Sequence, residues 1–112
     1  MTTIVAISAQ NAALDTYQIT QVSLHSDNPS TTGANELASA DYVRQNFTFA
    51  AADNGRRYGV SNATFDLKIG DVVAWAAYWN GGTFVLAKQL TAPISFNQDG
   101  QCVLKAADTY LD

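Results

Sequence analysis

The chain has 112 residues, 47% of them hydrophobic and only 14% charged, and ten acidic against six basic residues give a formal charge of −4. This length suits one domain with its own core, so we expect residues 1–112 to form a single domain. The basic residues are scattered, which argues against nucleic acid as a partner, because phosphate binding needs clustered Lys or Arg.

Membrane association and secretion are equally unexpected. The longest apolar run near the N-terminus, residues 4–7, is far shorter than the roughly 20 apolar residues that span a bilayer. No basic segment precedes this run, so we expect no signal peptide. The single cysteine, Cys102, cannot form an internal disulfide, and its flanks indicate a strand in which it is a small buried hydrophobe.

A short helix is predicted before the first strand. Residues 8–15 contain good helix formers, and Ser8 is a suitable N-cap. The pattern then changes to alternation, with Val22 and Leu24 on one side of a half-buried strand. A polar segment rich in turn-forming residues follows this strand.

The next segments also alternate. We expect residues 43–49 to form a strand that places Val43, Gln45, Phe47 and Phe49 on one face. Turns are predicted at residues 53–55 and 69–71, and between them the alternation resumes at Tyr58, Val60, Ala63, Phe65 and Leu67.

The strongest hairpin signal joins residues 72–79 to residues 83–90 across Asn80-Gly81-Gly82. Both arms are apolar or small, so we expect the pair to be central and covered on both faces. Residues 91–93 are predicted to turn the chain before a short strand at Ile94 and Phe96. A turn at residues 97–100 and strands at Cys102, Leu104 and residues 110–111 complete the set.

About eight short strands separated by turns are typical of an all-β protein with a single antiparallel β-sandwich. We therefore predict a sandwich of the jelly-roll or immunoglobulin kind, preceded by a short N-terminal helical turn.

The polar segment is the most unusual part of the chain, because loops of this length in a small domain are functional or disordered. His25, the only histidine, has Ser23, Ser26 and Asp27 as sequence neighbours. We expect no catalytic site, because a hydrolase needs converging groups and no nucleophile elbow is present. Instead, His25 and Asp27 are expected to satisfy backbone groups, Asp27 through an Asx turn before Pro29.

Oxygen donors in and after this segment raise the alternative of a calcium site, formed by Asp27, Asn35, Glu36 and Asp41. Their spacing does not match a calcium-binding loop, so we expect neither a metal nor a cofactor. Arg44 is expected to pair with Glu36 or Asp41 and to anchor the loop to the sheet.

Four aromatic residues, Trp75, Tyr78, Trp79 and Phe84, suggest a carbohydrate-binding face. Their neighbours are Ala and Val, not the polar residues that accompany sugar recognition. We therefore favour a place in the core for the two tryptophans, together with Phe84 and Leu86.

Residues 23–36 read Ser-Leu-His-Ser-Asp-Asn-Pro-Ser-Thr-Thr-Gly-Ala-Asn-Glu and are followed by Tyr-Val-Arg at residues 42–44. This motif resembles that of small tail-fibre or minor-tail proteins of actinobacterial and related phages, in which it reads Ser-Leu-His-Thr-Ala-Asp-Pro-Gly-Thr-Thr-Gly-Ala-Asn-Glu and then Tyr-Ala-Arg. Residues 47–52, 77–86 and 110–112 extend the resemblance, while Asp-Asn-Pro at residues 27–29 and the Arg-Arg pair at residues 56–57 depart from it. The motif positions with an expected structural or docking role are His25, Asp27, Pro29, Gly33, Asn35, Glu36, Tyr42 and Arg44.

The resemblance implies a virion structural protein, made in the host bacterial cytoplasm, that assembles with itself and docks to other virion proteins. The low charge fits a homo-oligomer, and a trimer is favoured. Two alternatives stay open, a capsid decoration protein that stabilises the shell and a carbohydrate- or receptor-binding module.

Overall fold

A four-stranded antiparallel sheet forms the larger layer of the structure, a computed structural model that describes residues 6–112. The strands in chain order are β1 (Gln21–His25), β2 (Gln45–Asn46), β3 (Arg57–Tyr58), β4 (Ala63–Leu67), β5 (Val72–Asn80), β6 (Thr83–Ser95), β7 (Gly100–Leu104) and β8 (Tyr110–Leu111). The large sheet has the order β2-β1-β5-β6, and the antiparallel pairs β4-β7 and β3-β8 complete the β structure. Helix α1 (Ile7–Asp15) precedes the strands, and a 3₁₀ turn (Ala106–Asp108) precedes β8.

One apolar cluster joins the large sheet to the β4-β7 pair. Val22 and Leu24 of β1 contribute to it from one side, and Phe65 of β4 and Cys102 of β7 contribute from the other. Strand β4 alternates strictly between buried and exposed residues, as expected for a strand with one face on a core. The predicted antiparallel β-sandwich with a short N-terminal helix is therefore confirmed.

The local chemistry of the turns explains where the strands end. Asn54 and Gly55 both have positive φ angles, of 52° and 78°, and close the turn between Asp53 and Arg56. Gly81 has a φ of 58° and opens the hairpin between β5 and β6. The predicted hairpin is confirmed.

The helix begins at Ile7, two residues before the start that an N-cap at Ser8 predicts. Ala6 occupies the N-cap position with extended backbone, and no side chain caps the first turn. Ser8 lies inside that turn, so its prediction as the N-cap was wrong. The short helix depends on tertiary contacts, which include a bond from the Gly55 amide to Asn11 Oδ1 (2.9 Å).

Two strand predictions were wrong, one for β1 and one for residues 43–49. Strand β1 is buried on both faces from Val22 to His25, and not on one face only. The predicted strand at residues 43–49 is interrupted, since only Gln45 and Asn46 pair with β1. Val43 is 63% exposed and does not share the core face with Phe47 and Phe49.

Strand β6 does not turn at residues 91–93 but continues to Ser95. Its register against β5 jumps from Gln89 opposite Trp75 to Ile94 opposite Val73, so residues 90–93 form a bulge. Strand β6 lies at the edge of the sheet, where Pro93 is tolerated although it lacks an N–H group. Expected coverage on both faces therefore holds for much of β5, whereas β6 is half-buried at best.

Within residues 6–112, no helix combines the length and apolar character needed to cross a bilayer. Residues 4 and 5 of the apolar run discussed above lie outside the described residues.

Cys102 is buried between the sheets, as predicted, and burial raises the pKa of its thiol. We expect a thiol reagent such as Ellman's reagent to modify the folded protein much more slowly than the unfolded protein, because the thiolate is the reactive form. The measurement compares modification rates at pH 8 with and without denaturant. Equal rates in both conditions would contradict the buried position.

Candidate functional site

Residues 26–35, here called the motif loop, close on themselves at the end of β1. The Ser26 amide donates to the Asn35 carbonyl (3.0 Å), and the next pair, His25 and Glu36, forms an antiparallel bridge. Inside the loop, the Gly33 and Ala34 amides both donate to the Pro29 carbonyl (3.0 and 2.9 Å). These contacts give the loop the compact form of an Ω-loop.

Short polar side chains hold the first half of the motif loop. Asn28 Oδ1 accepts a bond from the Ser30 amide (2.8 Å), and Asn35 Nδ2 donates to the Asn28 carbonyl (2.9 Å). Asp27 Oδ1 accepts a bond from the adjacent Asn28 amide (2.7 Å). The Asx turn before Ser30 is therefore formed by Asn28, and the prediction that assigned it to Asp27 was wrong. Asn28 can form this turn because Ser30, two residues ahead, has an amide to donate, whereas Pro29, two residues after Asp27, has none.

The motif loop covers a polar face of β1. Ser23 and His25 are two residues apart on the strand and share one face, and neither has exposed surface. A chain of bonds crosses this face: Trp79 Nε1 donates to Ser23 Oγ (2.7 Å), Ser23 Oγ lies 2.6 Å from His25 Nε2, and His25 Nδ1 lies 2.6 Å from the Ala34 carbonyl. These bonds join β5, β1 and the loop, so His25 satisfies a backbone group as predicted.

The contact between Ser23 and His25 was not predicted, although the sequence contained the signal for it. Residues i and i+2 of a strand point to the same side, so their side chains can meet. The pair has the atoms of a serine–histidine dyad, yet the hydroxyl is fully buried and already accepts the Trp79 N–H. In this geometry the pair supports the loop and is not open to a substrate.

A second polar group anchors the segment that follows the motif loop, residues 36–44, here called the return segment. Glu36 receives Arg44 Nη2 (2.8 Å) on Oε1 and Arg44 Nε (3.0 Å) on Oε2. Tyr42 donates its hydroxyl to Glu36 Oε2 (2.7 Å) and accepts the Leu24 amide of β1 (3.0 Å). The predicted Arg44–Glu36 pair is confirmed, whereas Asp41 pairs with Lys68 (2.8 Å).

Electrostatics in this group follow from the contacts. Burial alone would raise the pKa of Glu36, but the bonds from Arg44 and Tyr42 outweigh it and hold that pKa below its usual value. Burial and the bond to Glu36 raise the pKa of Tyr42. The Glu36 carboxylate is therefore ionised throughout the neutral range, and both of its oxygens accept hydrogen bonds from Arg44 or Tyr42.

Trp79 is where the loop, the return segment and the sheet meet. The Arg44 guanidinium lies 3.7 Å from the centre of its ring, and Phe84 approaches the ring edge-on with centroids 5.5 Å apart. A Cβ atom on Gly33 would lie 2.5 Å from the indole, so only glycine fits there. Trp79 is only 6% exposed, as predicted, but it lies under the motif loop and outside the main apolar cluster.

The aromatic face considered for sugars is not formed. Trp79 is buried under the loop, while Tyr78 is buried on the opposite face of β5 against Phe47 and Phe49. Trp75 is half-buried. The four aromatic side chains therefore do not line one exposed surface.

The oxygen donors considered for calcium do not converge either. Glu36 is engaged by Arg44 and Tyr42, and Asp41 by Lys68. Across residues 6–112 no three His, Cys, Asp or Glu side chains gather in a way that would hold a metal ion. The Asp27 and Asn35 side chains serve the loop backbone.

Comparisons of the chain with protein-family models, with curated proteins and with solved structures find no match.

We expect Gly33→Ala to destabilise the protein more than Gly70→Ala. Both glycines have positive φ, 79° and 91°, so each substitution carries a backbone cost of about 1–2 kcal/mol. Only the Gly33 methyl meets Trp79, and forcing a group into a packed site adds about 1–3 kcal/mol, whereas Gly70 has open space around it. Chemical denaturation of both variants measures the difference, and equal losses would contradict the tight Gly33–Trp79 contact.

We expect Arg44→Ala to loosen the motif loop more than it unfolds the core. The substitution leaves the Glu36 carboxylate short of its main partner, a loss of about 1–3 kcal/mol, and uncovers Trp79. Amide hydrogen exchange should show lower protection in residues 23–44 and a smaller change in β4 and β7. Arg56→Ala is the matched control, because Arg56 is exposed and forms no ion pair within the described residues. An equal loss of protection in all strands would contradict this role.

Proposed function

We propose that the chain is a structural component of a phage virion, associated with the tail, that acts by self-assembly and by docking to other virion proteins. The observation that carries the proposal is the use of the motif residues, whose side chains bond to each other and to the backbone. Every fully buried side-chain nitrogen or oxygen in residues 6–112 has a hydrogen-bond partner. The motif therefore builds a shape and leaves no buried polar group aimed at a ligand.

The motif loop presents a well-defined polar surface to solvent. On the inner side of the motif loop, Pro29 is fully buried and Gly33 lies against Trp79. The outer side carries mostly short hydroxyl and amide groups with a single charge, and its exposed members are Ser26, Asp27, Asn28, Ser30, Thr31, Thr32, Ala34 and Asn35. A prearranged surface of this kind loses little conformational entropy on binding, so it suits docking to another protein.

Most cationic side chains form ion pairs within the protein. This also favours a protein neighbour over an anionic ligand. Arg44, Arg57, Lys68 and Lys88 each lie within 4 Å of a carboxylate oxygen. Arg56 lies over the ring of Tyr110, 4.3 Å from its centre. Few cations are thus left to bind an anionic ligand, and the chain carries a formal net charge of −4.

Self-association is tested first on the isolated protein. We expect size-exclusion chromatography with light scattering to give a mass of three chains, about three times 12.0 kDa. A dimer or another closed oligomer would retain the assembly role and correct the number. A monomer at all accessible concentrations would contradict self-assembly.

Docking through the motif loop is tested by placing a large charged side chain on its exposed surface. We expect Thr31→Arg to reduce incorporation of the protein into phage particles, because Thr31 is exposed at the loop tip and its side chain forms no bond within the described residues. Thr64→Arg is the control, since Thr64 is also exposed but lies on the outer face of β4. Incorporation is measured by complementing a phage that lacks the gene and quantifying the protein in purified particles. Equal incorporation of both variants would contradict docking through the loop.

The place on the particle is tested by labelling purified virions with a specific antibody. Signal at the tail supports the proposal, whereas signal over the shell supports the capsid decoration alternative. Absence of the protein from purified particles would overturn both.

A further inference from the structure

His25 is the only histidine of the chain, and its ring has no exposed surface between β1 and the motif loop. An indole N–H can only donate and a carbonyl can only accept, so Trp79 and Ala34 fix the direction of the bonds between them. Nδ1 must carry the ring proton for Ala34, and Nε2 must accept the hydroxyl of Ser23. The neutral ring in this tautomer satisfies all four groups without using the long contact, 3.5 Å, between Ser23 Oγ and the Ala77 carbonyl.

A second proton on the ring breaks this arrangement. Protonated Nε2 would point a hydrogen at Ser23 Oγ, 2.6 Å away, so the hydroxyl would accept from both Trp79 and His25 and could no longer donate to the ring. The hydroxyl would then have to turn to the Ala77 carbonyl, 3.5 Å away, a distance too long for a strong bond. Because the ring is enclosed, water cannot hydrate the new charge, and an unhydrated buried charge is costly.

The charged groups around the ring do not offset this cost. The nearest acid, Glu36, is already paired with Arg44 and bonded to Tyr42. Asp27 is exposed on the loop, with one carboxylate oxygen on a backbone amide. Strand β5 places the uncharged Trp75 opposite the ring. A proton on the ring therefore gains no unshared carboxylate.

We propose that the motif loop is an acid-released latch, which stays closed over Trp79 while His25 is neutral and opens when His25 takes up a proton. Opening breaks the bonds that Ala34 and Asn35 make to the end of β1. The bond from the Leu37 amide to the Leu24 carbonyl (3.0 Å) lies beyond the loop and remains as the hinge. The latch does not depend on the proposed virion role.

The direction of the pH effect follows from the two states. Burial lowers the pKa of His25 from its ordinary value of 6.5, although the bond to Ala34 and the charge of Glu36 oppose the change. In the open state the ring is hydrated, so its pKa returns toward 6.5 and the open state binds more protons. The closed state thus has its full advantage above pH 6.5, loses it as the pH falls through that value, and loses no more below the closed-state pKa. Between the two values, the ratio of closed to open molecules changes about tenfold per pH unit.

Trp79 supplies the readout, because the closed loop covers the part of its ring that Gly33 contacts, and opening exposes that part. In full-length Trp75→Phe protein, Trp79 is the only tryptophan. We expect its fluorescence emission to shift to longer wavelength, and acrylamide quenching to increase, as the pH falls from 7.5 to 4.5. Proton NMR of the single histidine in the unmodified chain should give a midpoint below 6.5 that coincides with the exposure of Trp79. Continued protection of Trp79 over this range, or titration of His25 at 6.5 without any exposure, would overturn the latch.

His25→Asn is the control, because its amide nitrogen can donate to the Ala34 carbonyl but does not ionise. We expect this variant, in the same Trp75→Phe background, to show no change of Trp79 exposure with pH. An acid response equal to that of the histidine protein would overturn the assignment to His25. If the variant does not fold, the NMR midpoint and the quenching curve of the histidine-containing proteins decide the question alone.

Discussion

The bonds that run from Trp79 through Ser23 and His25 to the Ala34 carbonyl are the constraint on which the rest of the structure depends. Strand β1 lies in the middle of the sheet, with Val22 and Leu24 in the apolar cluster. Its other face carries polar side chains, and burying such groups without partners costs several kcal/mol. The motif loop supplies the missing partner, so the polar face of β1 and the conformation of the loop require each other.

This mutual requirement explains how a segment without regular secondary structure acquires a defined shape. Ser30, Gly33 and Asn35 adopt positive φ angles of 57°, 79° and 65°, and each is of a residue type that tolerates this region or is held there by bonds. Gly33 brings the backbone against the indole of Trp79. The rigidity comes from backbone geometry and buried polar contacts together, and not from either one alone.

Much of the fold could be predicted from short-range pattern. The alternation in β4, the Asn-Gly step of the hairpin and the turn at residues 53–55 depend on neighbours in sequence. The Arg44–Glu36 pair was also predictable, because two opposite charges flank a short connection.

The features of the fold that were not predicted depend on contacts between segments that are distant in sequence. Alternation shows which face of β1 is apolar, but not that residues 26–35 cover the other face. Trp79 reaches Ser23 only through the register of β5 against β1. In β6, the turn chemistry at residues 91–93 was absorbed into a bulge, because β5 continues to provide pairing partners beyond it. The local sequence at residues 91–93 therefore correctly indicated an irregular backbone, but it wrongly indicated that the chain turns there.

Strand β6 has a consequence for the behaviour of the free molecule at high concentration. Its Lys88 points inward and donates to the Tyr110 carbonyl (2.7 Å), and Pro93 and the bulge follow along the same edge. An inward charge, a proline and a bulge are the devices by which natural sheets prevent edge-to-edge polymerisation. The longest strand of the protein is thus a poor template for fibril growth.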